Sequence, residues 1–412
     1  MTDEYFDRLE IRSPKEREFE QLQWLGRQIE HARKTAPAYA ELLAGIEGPI
    51  DSREKLAKLP LTRKSELREK QQQRLPFGGL TGIDSPELTH VFVSPGPIYE
   101  PCTARGDFWS FGRALFAAGF RRGELLQNCF SYHFTPAGAM VESGAQALGC
   151  AVIPAGTGNT DLQVATIDHL RPVGYVGTPS FLKIILAKGD ELGADLSSLK
   201  KALVSGEYLP PALRDAWRER GIDCLQCYAT ADLGLIAYES PAREGMIVDE
   251  RIILEIVRPG TGDPVPDGEV GELVASSLNP DYPLIRFATG DLTAILPGTS
   301  PCGRTNRRIK GWLGRADQTT KVRGLFVHPN QIAAILKRHP EVSKGRLTVT
   351  SEDHLDQMRL QCETAQRPEG LQAALAESIR DICKLRGEVE LVTLGSLPND
   401  GKVIDDQRAV ET

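Results

Sequence analysis

Between residues 13 and 44, SPKEREFEQLQWLGRQIEHARKTAPAYAELLA, the apolar residues Phe19, Leu22, Leu25, Ile29 and Ala32 recur every three or four positions. That is the stripe of an amphipathic helix. Ser13 can cap it, Pro14 suits the first helical position, and Glu16 stands three residues after the cap. The segment to about residue 75 reads as a helical lead-in with no part in a site. From about residue 90 the period changes. HVFV reads as a strand and FWSFGRALFAAGF as a helix ending near Gly119; ELLQNCF, TPAGAMVESGAQALG, CAVIPAG and DLQVATIDHL continue as strand, helix, strand, helix. VGYVGTPSFLKIILAKGDEL and KALVSGEYLPPALRDAWRERGIDCLQCYA repeat the cycle. Alternating strands and helices predict a parallel sheet with helices on its faces. Ligands of such sheets bind beyond the carboxyl ends of the strands. The turns to search are therefore SPGP (94–97), SYHF (131–134), GTPS (177–180), SGEY (205–208) and YATAD (228–232).

Residues 247–296 are strand-rich with Gly/Pro turns, which predicts an antiparallel subdomain. Beyond residue 317 the pattern is turn–helix, two strands, helix and strand, a small α+β domain. The expected fold is α/β. A large N-terminal domain (1–316, with the lead-in over about 1–75) carries mixed sheets and the antiparallel subdomain, and a small C-terminal domain covers 317–412.

Composition narrows the function. Hydrophobic residues at 41% and charged residues at 25% are ordinary for a globular protein. A net charge of −7 argues against a nucleic-acid partner or an anionic membrane surface. No apolar run approaches the roughly 20 residues that span a bilayer, and the charged N-terminus is unlike a secretory signal. Eight scattered cysteines read as reduced, buried thiols in the cytoplasm. Cys224 and Cys227 form one CxxC pair with no second pair, and a strand would point them to opposite faces.

The turns carry the chemistry. SGEYLPPALRDAWRERGI (205–222), YATADLG (228–234), ATGDL (288–292), GRADQTTKVRG (314–324) and LPNDGK (397–402) occur in that order. Asp291 follows Gly290, and one carboxylate there can accept both hydroxyls of a ribose. Backbone groups at the Ser205–Gly206–Glu207 turn can cover a flat adenine.

These five blocks resemble the adenylate-forming enzymes, most closely the phenylacetate–coenzyme A ligase group, with CGR (302–304) and HPNQI (328–332) favouring that subgroup. The resemblance implies an ATP- and Mg²⁺-dependent, AMP-forming ligase that joins an aromatic or related carboxylic acid to coenzyme A through an acyl-adenylate. It implies a homodimer and a small C-terminal domain that rotates about Asp317. It places Ser205, Gly206 and Glu207 at the adenine, Asp291 and Arg315 at the ribose and phosphates, and Arg323 and Gly324 among the cofactor-binding residues. Tyr228, Ala229 and Thr230 fall in the block that borders adenine and acyl pocket. Asp232 falls where the family has a glutamate that helps hold Mg²⁺, directly or through water. His133 stands at the acyl or thioester site and Lys402 at the adenylating position.

Two departures qualify the resemblance. SPGPIYEP (94–101) stands at the phosphate loop but keeps only Ser94, Gly96 and Pro101. Glu100 replaces the loop lysine, and an ionised glutamate would repel a triphosphate. Either the rest of the site carries ATP, or the chain is a weakened homologue that binds AMP, an acyl-adenylate or acyl-CoA. A third possibility is an adenylating enzyme with an acceptor other than coenzyme A. The subgroup's zinc ligands correspond to Ser240, Met246 and Cys302, and one cysteine cannot make a tetrahedral site, so no zinc is expected.

Overall fold

The computed structural model describes residues 4–259, 261–316, 320–323, 325–327, 329–352, 355–398 and 402–408. The chain forms two compact units. The large one comprises Met1–Glu269, Leu273–Thr289 and Thr293–Trp312; the small one comprises Val270–Glu272, Gly290–Leu292 and Leu313–Thr412.

The large unit begins with the lead-in. Helix α1 (Pro14–Thr35) is capped by Ser13, whose hydroxyl accepts from Glu16 N, as the capping pattern predicts. It ends before Pro37, which opens a separate helix α2 (Pro37–Leu42). The stripe residues Leu25, Ile29 and Ala32 are at most 1% exposed. Each such Leu or Ile contributes about 1.5–3 kcal/mol by burial. Helix α3 (Arg53–Ala57), the short strand β1 (Thr62–Arg63) and helix α4 (Leu67–Gln73) follow.

A two-stranded hairpin, β2 (Leu88–Ser94) with β3 (Ile98–Thr103), comes next. The sequence pattern identifies the first strand but treats SPGP as a turn of the parallel sheet. The structure makes it a hairpin turn, because IYEPCT folds back as a second strand. Pro101 is tolerated there, since a two-stranded ribbon leaves one edge of each strand without ladder bonds.

The main sheet has nine strands. After helix α5 (Phe111–Ala117), strands β4 (Leu125–Asn128), β5 (Ala151–Pro154), β6 (Gly174–Gly177), β7 (Lys201–Val204) and β8 (Asp223–Thr230) pair in parallel in the order β5-β4-β6-β7-β8. Helices α6 (Ala137–Leu148), α7 (Thr160–Leu170), α8 (Pro179–Leu192) and α9 (Pro211–Glu219) connect them. Strands β9 (Gly234–Glu239) and β10 (Met246–Val248) then run antiparallel. Strands β11 (Ile252–Val257), β12 (Gly271–Ser277) and β13 (Phe287–Thr293) form a second sheet with β1, which lies parallel to β13. Strands β14 (Ile295–Leu296) and β15 (Arg308–Ile309) return to the main sheet. Cys224 and Cys227 on β8 lie in two different core clusters, one on each side of the strand.

The N-terminal segment is fixed by buried charge. Glu250 is 1% exposed and accepts from Arg12 at 2.7 Å and Arg17 at 2.9 Å. Glu10, also 1% exposed, pairs with Arg304 at 3.0 Å and accepts from the Tyr238 hydroxyl at 2.7 Å. Removing one partner of such a pair costs about 3–5 kcal/mol, because the other charge is left buried.

In the small unit, a hairpin of β16 (Thr320–Val322) and β17 (Leu325–Val327) precedes helix α10 (Pro329–Arg338). Strands β18 (Val342–Glu352) and β19 (Leu355–Thr364), helix α11 (Leu371–Cys383), β20 (Glu388–Val392) and β21 (Ile404–Asp406) complete it, in sheet order β20-β19-β18-β21. Its core is formed by Val322, Ile332, Leu347, Leu360, Leu375 and Ile379, all fully buried. No helix among the described residues is long and apolar enough to cross a membrane.

Candidate active site

In the large unit the carboxyl ends of the parallel strands carry the residues singled out from sequence. Ser205 follows β7, and its hydroxyl donates to Cys227 O on β8 at 2.8 Å. Gly206 has φ +83°, a conformation that glycine adopts without strain. Glu207 reaches across to the loop after β6 and accepts from Ser180 N at 3.1 Å and Ser180 Oγ at 2.9 Å. Thr178 caps α8 in the same loop. The SGEY and GTPS turns are thus one hydrogen-bonded rim.

Tyr228, Ala229 and Thr230 end β8, and Ala229 and Thr230 pair with Leu235 and Gly234 of β9. Thr230 Oγ1 accepts from Leu233 N at 3.1 Å, which closes the turn that holds Asp232. His133 lies exposed in the loop after β4, its ring edge-on to Phe134 with centroids 4.7 Å apart. Phe134 O accepts from Val93 N at 2.9 Å, so this loop runs along the hairpin.

The hairpin corrects the sequence reading of Glu100. That residue does not project from a loop towards solvent; it lies on β3 and is 1% exposed. Ser94 Oγ donates to its Oε1 at 2.9 Å. Burial, followed by the neighbouring Asp232 carboxylate, pushes the Glu100 acid well above the usual carboxylate range. Burial disfavours the charge that a repulsive loop glutamate would need. Asp232 is 5% exposed and is ion-paired with Lys64. Lys64 comes from the lead-in, to which the sequence pattern gives no part in a site. A lysine three residues before helix α4 has no local signal; the pairing of β1 with β13 brings its segment here.

Mg²⁺ takes oxygen ligands and keeps several waters, using one or two carboxylates together with substrate phosphates. Asp232 Oδ1 is buried and has no hydrogen-bond partner among the described residues. That oxygen fits such an ion, with Asp232 the residue to hold it.

The small unit holds the second group of residues. Asp291 and Arg315 form an isolated antiparallel bridge, and Arg315 Nη1 donates to Asp291 Oδ1 at 3.1 Å. Gly290 has φ +77°, and a Cβ there would lie 2.7 Å from Arg315 Nη2, so the guanidinium occupies space that a side chain at residue 290 would contest. Arg323 is engaged within the unit: its backbone N donates to Asp356 Oδ2 at 2.8 Å and its guanidinium to the carbonyls of Asp356 and Arg386. Lys402 Nζ lies 3.0 Å from Asp405 Oδ1, and Asp405 in turn pairs with Arg346 at 2.9 Å. Asp317 and Gly324 lie outside the described residues.

At the expected remnant of a zinc site, Cys302 is half-buried beside Ser300 Oγ (3.1 Å) and Arg304 Nη1 (3.7 Å). Burial raises this thiol, but hydrogen bonds from Ser240, Ser300 and Arg304 outweigh it and hold the thiol below its ordinary value. Met246 is 6% exposed in the core.

Residues 121–279 match the AMP-binding enzyme family, and residues 324–408 match the AMP-binding enzyme C-terminal domain. A phenylacetate-coenzyme A ligase of Thermus thermophilus is 32% identical over 362 residues, 83% of this chain and 80% of the relative. One from Escherichia coli K12 is 30% identical over 98% of this chain and 97% of its own length. A solved 2-hydroxyisobutyryl-CoA ligase, in complex with 2-HIB-AMP and CoA, has a TM-score of 0.73 at 25% identity over 97% of this chain and 92% of that one. The chain belongs to the AMP-binding, adenylate-forming CoA ligase family.

Proposed function

We propose that the protein activates an aromatic or related carboxylic acid with MgATP and transfers the acyl group to coenzyme A. The observation that carries this reading is the likeness to phenylacetate-coenzyme A ligase along 98% of the chain. In the first half-reaction a carboxylate oxygen bonds to the α-phosphorus and pyrophosphate leaves. In the second the thiol of coenzyme A bonds to the acyl carbon, loses its proton, and AMP leaves.

This reading gives roles to the chain's own residues. Ser205, Gly206 and Glu207, held to Ser180 and Cys227, form the adenine rim, with Tyr228 to Thr230 beside it. Asp291 accepts the ribose hydroxyls with Arg315 held against it. Asp232 holds Mg²⁺, which supplies charge neutralisation for the phosphates. Lys402 lies beside the carboxylate and α-phosphate during adenylation, and His133 borders the acyl end. Asp317 is the residue about which the small unit turns. Arg323, its guanidinium held by the carbonyls of Asp356 and Arg386, belongs to the cofactor side of the small unit. The eight free cysteines accord with a reducing cytoplasm.

The hairpin supports a second reading, a homologue that binds AMP or acyl-CoA without making the adenylate, because SPGPIYEP supplies no lysine. Carboxylate-dependent pyrophosphate release from MgATP separates the two. Release with an aryl acid supports the ligase; AMP binding without release supports the binding protein.

A further inference from the structure

The hairpin turn and its second strand, SPGPIYEP (94–101), hold neither lysine nor arginine. Glu100, at the loop lysine's place, is buried on β3. A triphosphate is gripped by cations, so here the cation has to come from another segment. Lys64 is anchored beside this hairpin at both ends of its own segment. Strand β1, which ends at Arg63, pairs with Phe287 and Ala288 of β13. Helix α4 begins at Leu67, and its buried Gln71 holds the backbone of Tyr99, the neighbour of Glu100. Gln71 Nε2 donates to Tyr99 O at 2.9 Å, and Gln71 Oε1 accepts from Tyr99 N at 2.8 Å. Three residues, Lys64–Glu66, form a 3-10 turn between these anchors.

The Lys64 ammonium pairs with Asp232 Oδ2 in the β8–β9 turn. The two partners are unequally covered: the Asp232 side chain is 0% exposed and that of Lys64 is 26% exposed. The carboxylate is the enclosed end of the pair and the ammonium is the end that solvent reaches. Asp232 Oδ1, the oxygen that fits Mg²⁺, is the other oxygen of the same carboxylate. A lysine kept only to neutralise a buried aspartate would best be enclosed with it. The exposure of Lys64 and the missing hairpin lysine are left unexplained by that account.

We propose that Lys64 is a phosphate-binding residue of the nucleotide site: its ammonium, placed by Asp232, meets the β- and γ-phosphates for which the hairpin has no cation. This rests on the reading of the protein as an MgATP-using ligase. A lysine binds phosphate as a compact point charge rather than through a fixed fork, so the charge can be supplied from a different segment of the chain.

The role separates ligands by their phosphates, because AMP has no β- or γ-phosphate to meet Lys64. Calorimetry of ATP and AMP binding to the native chain, Lys64→Gln and Lys64→Arg, with and without Mg²⁺, tests it, with melting temperatures recorded for each. Lys64→Gln keeps a donor for Asp232 but no charge. It is expected to weaken ATP by roughly tenfold or more and to leave AMP within about twofold. Lys64→Arg keeps the charge and is expected to recover most of the ATP affinity. A purely structural counter-ion predicts a lowered melting temperature and an equal loss of both nucleotides. Reductive methylation of the native chain with formaldehyde and a hydride donor, mapped by mass spectrometry, reads the same contact if Lys64→Gln fails to fold. ATP is expected to slow methylation of Lys64 and AMP is not. Equal loss of both nucleotides, unchanged ATP affinity, a Lys64→Arg variant as weak as Lys64→Gln, or methylation that ATP does not slow would overturn the inference while leaving the ligase reading in place. A native chain that binds AMP but not ATP, with or without Mg²⁺, overturns the ligase reading and this inference with it.

Discussion

Arg315 and Asp291 hold each other at 3.1 Å across a single antiparallel bridge, and Gly290 leaves the space in which the guanidinium lies. The pair orients the Asp291 carboxylate. Asp291→Ala removes a charge-assisted acceptor for two hydroxyls and is expected to weaken AMP binding by roughly 2–3 kcal/mol. Unchanged AMP affinity by calorimetry would refute the ribose assignment.

Glu100→Lys separates two views of the hairpin. A loop glutamate facing a triphosphate predicts that lysine improves ATP use. The observed burial predicts the reverse: a second ammonium would be forced beside Lys64, in competition for Asp232. The variant is expected to melt at a lower temperature and to show a higher KM for ATP. A lowered KM at unchanged stability would restore the loop view.

Lys402→Ala should slow adenylation far more than thioester formation from preformed acyl-adenylate, since its charge acts only while the carboxylate attacks phosphorus. Rates of the two half-reactions decide this. Equal slowing of both would remove Lys402 from the adenylation step.

Acid sensitivity of the small unit follows from Asp405. Burial raises this acid, but Arg346, Gln407 and Lys402 outweigh it and lower it from 3.8 to about 2. Its folded value lies below its unfolded one, so the stability it contributes is present above about pH 4 and is lost as pH falls towards about 2. Asp405→Asn is therefore expected to be less stable than the native chain at pH 7 and nearly equal to it near pH 2. A constant difference across that range, measured by denaturant unfolding, would contradict the pairing.

Zinc content tests the reading of the Cys302 loop. Cys302 has Ser240, Ser300 and the Arg304 guanidinium for neighbours, and Met246 lies in the core. An arginine beside the thiol disfavours a second cation there. Metal analysis of protein purified without chelator is expected to give well below one zinc per chain. Stoichiometric zinc would mean that other residues hold it.

The parallel strands and the turns after them were legible because strand, turn and helix periods alternate cleanly from Leu125 to Thr230. Cys224 and Cys227 separate to opposite sides of β8 as strand alternation requires. The hairpin was half legible: HVFV has strand character, but IYEPCT carries two turn-associated features, a proline and an acidic residue, and its pairing depends on a partner rather than on propensity. Lys64, Glu10 and Glu250 were not legible. Each sits in a charged stretch that reads as solvated surface, and tertiary contacts reveal Lys64 as the half-buried partner of Asp232, and Glu10 and Glu250 as buried partners of Arg304 and the Arg12–Arg17 pair. Asp291 was found because its motif recurs in order with GRAD; nothing local distinguishes it from a turn aspartate.

The central claim is that this chain makes an acyl-adenylate and passes the acyl group to coenzyme A. The most direct measurement is mass-resolved product analysis after incubation with MgATP, coenzyme A and a panel of aryl and related carboxylic acids. The account predicts pyrophosphate and acyl-AMP without coenzyme A, and AMP with acyl-CoA when coenzyme A is present. AMP binding with neither acyl-AMP nor acyl-CoA from any acid in the panel would contradict it.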